Sequence, residues 1–303
     1  MKKIDFVGLG FCSNDYLSVV PRIPLDSKVQ MLEHLVQGGG PAATSTVAAA
    51  RLGWTAAMVG TVGDDDPGKK ILNDFAAERV DTAAMKIRPG KSSPVAYCWV
   101  DAPTGKRSVA WTRGDLSELA PEEIPEELVT QARLLHLDGH QIAAARAAAK
   151  LARRHRVKVS LDAGTLREGV KELLADVDIL VASEEIARQL TGETDLEKAL
   201  RRMGTVGAEV TGVTMGEAGS MVLTPEGTIL RCPAFRIAKV VDTTGAGDVY
   251  HTGFAIRYVE TGDLRESMRF ASAVAALKCA KLGGRTGIPS REEVNEFLKR
   301  HTA

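Results

Sequence analysis

The stretch Val241-Asp242-Thr243-Thr244-Gly245-Ala246-Gly247-Asp248 sets a run of residues with little or no side chain beside a carboxylate. Gly245, Ala246 and Gly247 let an anion approach successive backbone N–H groups where a helix, expected over Val249–Val259, begins. Asp248, in the first turn of that helix, lies near the same donors, which keep a carboxylate ionised and able to accept a proton. A base beside an anion cradle suits transfer of a phosphoryl group to a hydroxyl. Taken alone, the stretch also reads as a glycine-rich turn capping a core helix, since short Gly-x-Gly turns precede helices in many α/β folds.

The chain must also build a scaffold for such a centre. Its 303 residues suffice for a large α/β domain with a sizeable core, and its 39 basic and 39 acidic residues balance. That balance gives no bulk attraction to nucleic acid or an anionic membrane, so a small molecule is the expected partner. Cys12, Cys98, Cys232 and Cys279 lie far apart without metal-type spacing, which suggests reduced thiols in a cytoplasmic protein. No signal peptide precedes the first strand pattern, and no run of about 18 apolar residues suggests a transmembrane helix.

Strand and helix patterns alternate along most of the chain. Ile4–Leu9 reads as a buried strand. The following Gly8-Leu9-Gly10-Phe11-Cys12-Ser13 has only a superficial likeness to a dinucleotide fingerprint, because no helix pattern follows it. Asp15 falls just past that strand, where open α/β sheets bind ligands. Gly38-Gly39-Gly40 leads into a small-residue helix with Pro41 at its start and Gly53 as its stop. Trp54–Val62 is an expected strand, and Asp64-Asp65-Asp66 caps a helix over Lys69–Arg79 or, alternatively, offers metal ligands.

Ser93–Val100 and Arg107–Thr112 alternate around a turn and predict a β-hairpin. With the irregular stretch Tyr16–Val36 it is expected to form a small sheet over the active site, whose exposed face a second subunit could cover. Further strands are expected at Leu134–Leu137, Val157–Leu161, Ile179–Ala182, Val210–Val213 and Lys239–Val241. They end on Asp138, Asp162, Ser183, Thr214 and Asp242, which predicts one carboxyl edge of a parallel sheet as the active-site face. Gln141–His155 reads as an alanine-rich helix. Arg265–Leu282 is an expected thin helix, its alanines allowing either close packing or a slot for a flat base, with Gly283-Gly284-Arg285 a turn beside it.

Together these motifs resemble the ribokinase-like, PfkB family of carbohydrate kinases over nearly the whole chain. The likeness rests on three ordered signatures: Gly39-Gly40 before the helix ending Ala50-Arg51-Leu52-Gly53, then Val62-Gly63-Asp64-Asp65-Asp66, then Asp242 to Asp248. It implies a ribokinase-like three-layer α/β/α fold with a mainly parallel sheet. It further implies one domain over 1–303, with a small β-sheet lid from segments 16–36 and 92–112. The implied activity is ATP-dependent phosphorylation of a sugar hydroxyl. Asp248 would be the base, and Gly245, Ala246 and Gly247 the hole for phosphoryl charge. The resemblance places Asp15, Gly39 and Gly40 at the sugar, with Thr44 where an asparagine is frequent. It places Ser183, Thr214, Gly216, Gly219, Thr243, Ala273 and Gly284 at the nucleotide. Asp242 and Thr244 match positions that hold a monovalent cation such as K⁺ in some members, and Mg²⁺ should arrive with ATP.

Two departures bear on function. Ser183 and Ile186 stand where the family often carries Asn-x-x-Glu, leaving Mg²⁺ to phosphates, water or Glu184 and Glu185. Pro41 and Thr44 alter the sugar motif in a way that disfavours ribose. Several segments look most like sulfofructose kinase and fructokinase-type members, so the expected acceptor is a ketohexose such as fructose. Lys28 falls where sulfofructose kinases read the sulfonate, but Trp111 and Gly139 replace its polar partners. Arg113 or Arg107 could compensate, and a solvated lysine at the lid is the alternative reading of Lys28. A nucleoside kinase would need Phe11, Tyr97 or Trp111 to stack a base. A non-catalytic sugar or nucleotide sensor is opposed by the intact Gly245–Asp248 run. A homodimer through the lid is the expected assembly.

Overall fold

The central strands are apolar on both faces, a pattern that requires helices on both sides of a sheet. Phe6, Leu134, Ile179 and Val181 enter one core, whereas their neighbours Val7, Leu135, Leu180 and Ala182 enter a second. In the computed structural model, which describes residues 3–164 and 166–301, the strands are β1 (Phe6–Leu9), β2 (Ser13–Val20), β3 (Glu33–Gly39), β4 (Ala56–Val59), β5 (Thr61–Gly63), β6 (Lys86–Arg88), β7 (Val95–Asp101), β8 (Arg107–Thr112), β9 (Leu134–Leu137), β10 (Lys158–Asp162), β11 (Ile179–Ser183), β12 (Val210–Thr214), β13 (Ser220–Leu223) and β14 (Ile229–Cys232).

The main sheet is 8-stranded in the order β14-β13-β12-β11-β10-β9-β1-β4. From β12 to β4 every pairing is parallel, and β13 and β14 close one edge antiparallel. Helices Pro41–Arg51, Asp66–Ala77, Ala246–Thr261, Leu264–Lys278 and Arg291–Arg300 cover the first core. Glu126–Gln131, Ile142–Arg154, Val170–Leu173, Glu184–Thr191 and Leu196–Met203 cover the second. This is the expected ribokinase-like three-layer α/β/α arrangement. From β1 the chain goes to β4 on one side and then to β9 on the other, which opens a crevice beyond the ends of β1 and β9.

The lid is a separate 4-stranded sheet in the order β3-β2-β7-β8. Both parts of it were anticipated, but Tyr16–Val36 is less irregular than its sequence suggests. It contributes the larger part of both β2 and β3, which pair in register from Ser13–Gly39 to Val19–Glu33. Lys28 lies in the exposed connection between those strands.

Other expectations are revised. Trp54–Val62 is broken at Gly60, and β5 leaves the main sheet to pair with β6. The helix after the aspartates begins at Asp66, with Asp65 as the cap accepting from Gly68 N. The thin helix ends at Lys278, short of Leu282. Lys239–Val241 is not a strand. The sheet edge past β12 is already taken by β13 and β14, so this segment crosses to the C-terminal turn, where Val241 N and Asp242 N donate to Cys279 O at 2.8 and 3.3 Å.

Phe254, fully buried in helix Ala246–Thr261, fixes that helix on the sheet. Replacing it with alanine is expected to remove about 3–5 kcal/mol of stability, measured by urea denaturation, with unaltered stability as the opposing result.

Candidate active site

The Val241–Asp248 stretch is a turn held from below. Asp242 is fully buried, its Oδ1 accepting from Thr244 N at 2.8 Å and Thr244 Oγ1 at 2.7 Å, and its Oδ2 from Gly283 N at 2.8 Å. Its carbonyl accepts from the buried ammonium of Lys278 at 2.8 Å. Gly245 is the residue before the helix and is left-handed at φ 75°, and a Cβ there would meet Gly284 O at 2.9 Å. No side chain caps the first turn. Nothing lies within 4 Å of where a Cβ of the exposed Gly247 would be, so the turn faces open space on that side. Ala246 N turns back to Thr243 O at 3.2 Å, and the first-turn N–H groups of Gly247 and Asp248, beside a bare backbone, are left to form an anion cradle.

Asp248 sits partly buried at the end of this cradle. Burial, reinforced by the charge of Asp162, pushes its carboxyl up to about 7, while His251 and Arg107 act in the opposite sense. Asp162 is held low: burial opposes ionisation, but His251 more than offsets it, with His251 Nδ1 at 2.8 Å from Asp162 Oδ2. His251 in turn is raised, since its pairing with Asp162 outweighs its own desolvation. The pKa values of the two carboxyl groups are thereby pushed apart, one kept ionised and the other poised to exchange a proton near neutrality.

A third carboxylate occupies the crevice between β1 and β9. Asp138 accepts from Phe11 N at 2.7 Å, Ala42 N at 3.2 Å and His140 N at 3.0 Å. Burial raises it to about 6 despite these donors. It ties the ends of β1 and β9 to the first turn of helix Pro41–Arg51.

The lid supplies the opposite wall. Asp15 is buried and accepts from Ser13 Oγ at 2.6 Å, and burial raises its pKa. Gly39 is obligatory beside it, because a Cβ there would fall 1.9 Å from Asp15 Oδ2. Gly40 precedes the helix at φ 95°, and Thr44 is buried one turn in. Register places Gln37, Asp15, Ala96 and Trp111 in one row across the lid, hence on one face. Trp111 is half exposed, and Arg113 follows just beyond β8. Arg107 reaches from the lid to Thr243 Oγ1 at 3.3 Å, joining lid and phosphate turn.

On the other side of the turn, Ser183 and Thr214 end β11 and β12, and Gly216 and Gly219 bound the next turn, with φ 58° and 94°. Ala273 is buried in helix Leu264–Lys278, and Gly284 lies against Gly245. The fold thus brings the expected sugar and nucleotide residues to one edge, except Lys28, which is exposed in its connection.

The family model for pfkB family carbohydrate kinases matches residues 1–291. The chain belongs to the pfkB family. This pfkB-family protein is 32% identical over 304 residues to the ATP-dependent ribose-1-phosphate kinase of Halopiger xanaduensis, covering 97% of this chain and 98% of that one. It is 31% identical over 269 residues to the ribokinase of Haemophilus influenzae, covering 86% and 87%. Among solved structures it resembles Arabidopsis thaliana ribokinase complexed with ribose and ATP, with a TM-score of 0.85 and 25% identity, covering 98% and 99%. Membership makes it a phosphotransferase with a hydroxyl acceptor.

Sequence reasoning did not single out His251, His140, Arg167, Lys278 or the buried Arg285. Asp138 and Asp162 were visible as strand ends without a role. His251, three residues after Asp248 on one helix face, was the signal available for the Asp162 pair.

Gly245→Ala tests the turn. A left-handed alanine costs roughly 1–2 kcal/mol, and contact with Gly284 O displaces the cradle. Lower stability in urea together with reduced turnover is expected; a variant normal in both contradicts this account.

Proposed function

We propose that this protein transfers the γ-phosphoryl group of ATP to a primary hydroxyl of a small sugar, with Asp248 as the base. The observation that supports it most is the position of Asp248: a carboxyl poised near 7, at the end of an uncapped glycine cradle and beside an ionised Asp162. The cradle would stabilise charge on the moving phosphoryl group, and Asp248 would take the hydroxyl proton. Asp15, Gly39, Gly40 and Thr44 would hold the sugar beneath the Trp111 side of the lid. Ser183, Thr214, Gly216, Gly219, Thr243, Ala273 and Gly284 would line the nucleotide. A ketohexose such as fructose remains our acceptor, alongside the pentoses suggested by the names of the relatives.

Mg²⁺ is expected with ATP, where it neutralises phosphate charge. Among the described residues no His, Cys, Asp or Glu group suited to a metal occurs. Ser183 caps a helix by accepting from Ile186 N, Ile186 is buried, Glu184 pairs with Arg188 and Glu185 accepts from Gln189. Phosphates and water would therefore be its main ligands. The donor set at Asp242 and Thr244 does not suit a resident K⁺: the carboxylate is engaged by N–H and O–H donors, and the Lys278 ammonium already lies on the carbonyl. Turnover should be equal in potassium and tetramethylammonium buffers, and Lys278→Met should become potassium-activated; strong activation of the unaltered enzyme by potassium would count against this.

Asp248→Asn should lower kcat about 100- to 10,000-fold with little change in ATP binding by calorimetry, and near-normal turnover would refute the role. Because a protonated carboxyl cannot accept the proton, kcat/KM should fall as pH drops below about 7. His251 draws the Asp248 pKa down, so His251→Gln should move that acid limb to higher pH. A limb that stays in place would dissociate the pair from the base.

A further inference from the structure

The sugar wall carries more positive charge than a neutral acceptor needs. Arg113 Nη2 lies 3.3 Å from His140 Nδ1, and Arg167 Nη2 lies 3.4 Å from His140 Nε2. A neutral imidazole has one acceptor nitrogen, so it can satisfy only one of these guanidiniums while the other meets an N–H. His140 is neutral here, since burial and the two arginines drive its pKa down to about 3.

The remaining partners do not make up the deficit. Glu118 lies 3.2 Å from Arg113 Nη1 and points outward, about half exposed. Asp138, whose charge favours the ionised Arg167 more than that of Glu118, is engaged by the backbone N–H groups of Phe11, Ala42 and His140. Arg167 Nε is buried and has no acceptor among the described residues. A buried donor without an acceptor is costly, and with two guanidiniums on one neutral ring it points to an anion as the missing partner.

The surroundings orient these groups. Both guanidiniums approach the Trp111 ring, with Arg113 at 6.0 Å and Arg167 at 5.8 Å from its centroid, and Phe11 stacks on His140 at 4.6 Å. Trp111 shares the lid face with Asp15, separated by the small Ala96. Two strand spacings, roughly 10 Å, therefore separate the backbones of Trp111, against which the arginines lie, and Asp15, the carboxylate expected at the sugar hydroxyls. Phe11 and Arg113 also line one recess with Gly10 and Glu118.

We propose that the acceptor is a sugar bearing a fixed anionic group, a phosphate, sulfonate or carboxylate, which Arg113 and Arg167 bind across His140 against Trp111. This names the substrate class of the kinase reading above and rests on it for the transfer step, though the binding it requires does not depend on transfer. Arg113 and Arg167 replace the lysine-centred sulfonate site expected at Lys28.

The test uses matched pairs that keep a primary hydroxyl or its equivalent: ribose and ribose 1-phosphate, fructose and fructose 1-phosphate, fructose and 6-deoxy-6-sulfofructose, glucose and gluconate. Each is assayed by ADP release and by calorimetric binding without ATP, for the unaltered protein, Arg113→Gln and Arg167→Gln. In at least one pair the anionic member should be preferred about tenfold or more, and each variant should lower that preference about tenfold through KM rather than kcat. The pair showing the preference identifies phosphate, sulfonate or carboxylate. Preference for the neutral member in every pair overturns the proposal, whether or not a variant folds. So does an unchanged preference in both folded variants, or an effect confined to the KM for ATP. If no sugar is phosphorylated, the kinase reading fails, and calorimetry alone decides whether the anionic member binds more tightly.

Discussion

Three carboxylates, the buried Asp138 and Asp162 and the partly buried Asp248, lie close enough to repel one another, and that repulsion is the constraint around which the site is arranged. Like charges at low dielectric cannot all ionise cheaply, so each must be treated differently. Asp162 receives His251, Asp138 receives three backbone donors, and Asp248 is left with the least local support. The last therefore carries the most accessible proton equilibrium, which is the property a base for a hydroxyl requires. The scaffold produces that reactivity by placing compensation elsewhere.

The same economy governs the backbone. The Val241–Asp248 turn is held by its own Asp242 and by Lys278, Gly283 and Gly284, and its open side is left to glycine. A rigid turn with unengaged donors costs no reorganisation when charge arrives. Arg107 then joins this turn to the lid through Thr243, so the sheet that carries Asp15 and Trp111 also touches the Val241–Asp248 turn.

Much of this was legible in order along the chain. Two-sided apolar strands, alternating with helices, fixed a covered parallel sheet, and polar strand ends marked its carboxyl edge. The Gly245–Asp248 turn and the Gly39-Gly40 entry to a helix were readable because glycine and proline constrain the backbone locally. The same local logic failed for Lys239–Val241, whose β-branched residues suit a strand but whose place at the sheet was already occupied by β13 and β14. Propensity could not register that competition.

What the sequence determined by itself was the class of fold and the kind of chemistry, because periodicity and a compact motif depend on neighbours in the chain. Only the tertiary structure decided which charges meet. His251 faces Asp162 across 88 intervening positions in sequence, Arg113 and Arg167 converge on His140 from the segments that follow β8 and β10, and Lys278 reaches Asp242 from the end of a helix. Such pairings leave no local pattern. They arise because parallel strands, joined through helices, bring distant residues to the same edge of a sheet, where burial turns proximity into altered protonation and unmet charge.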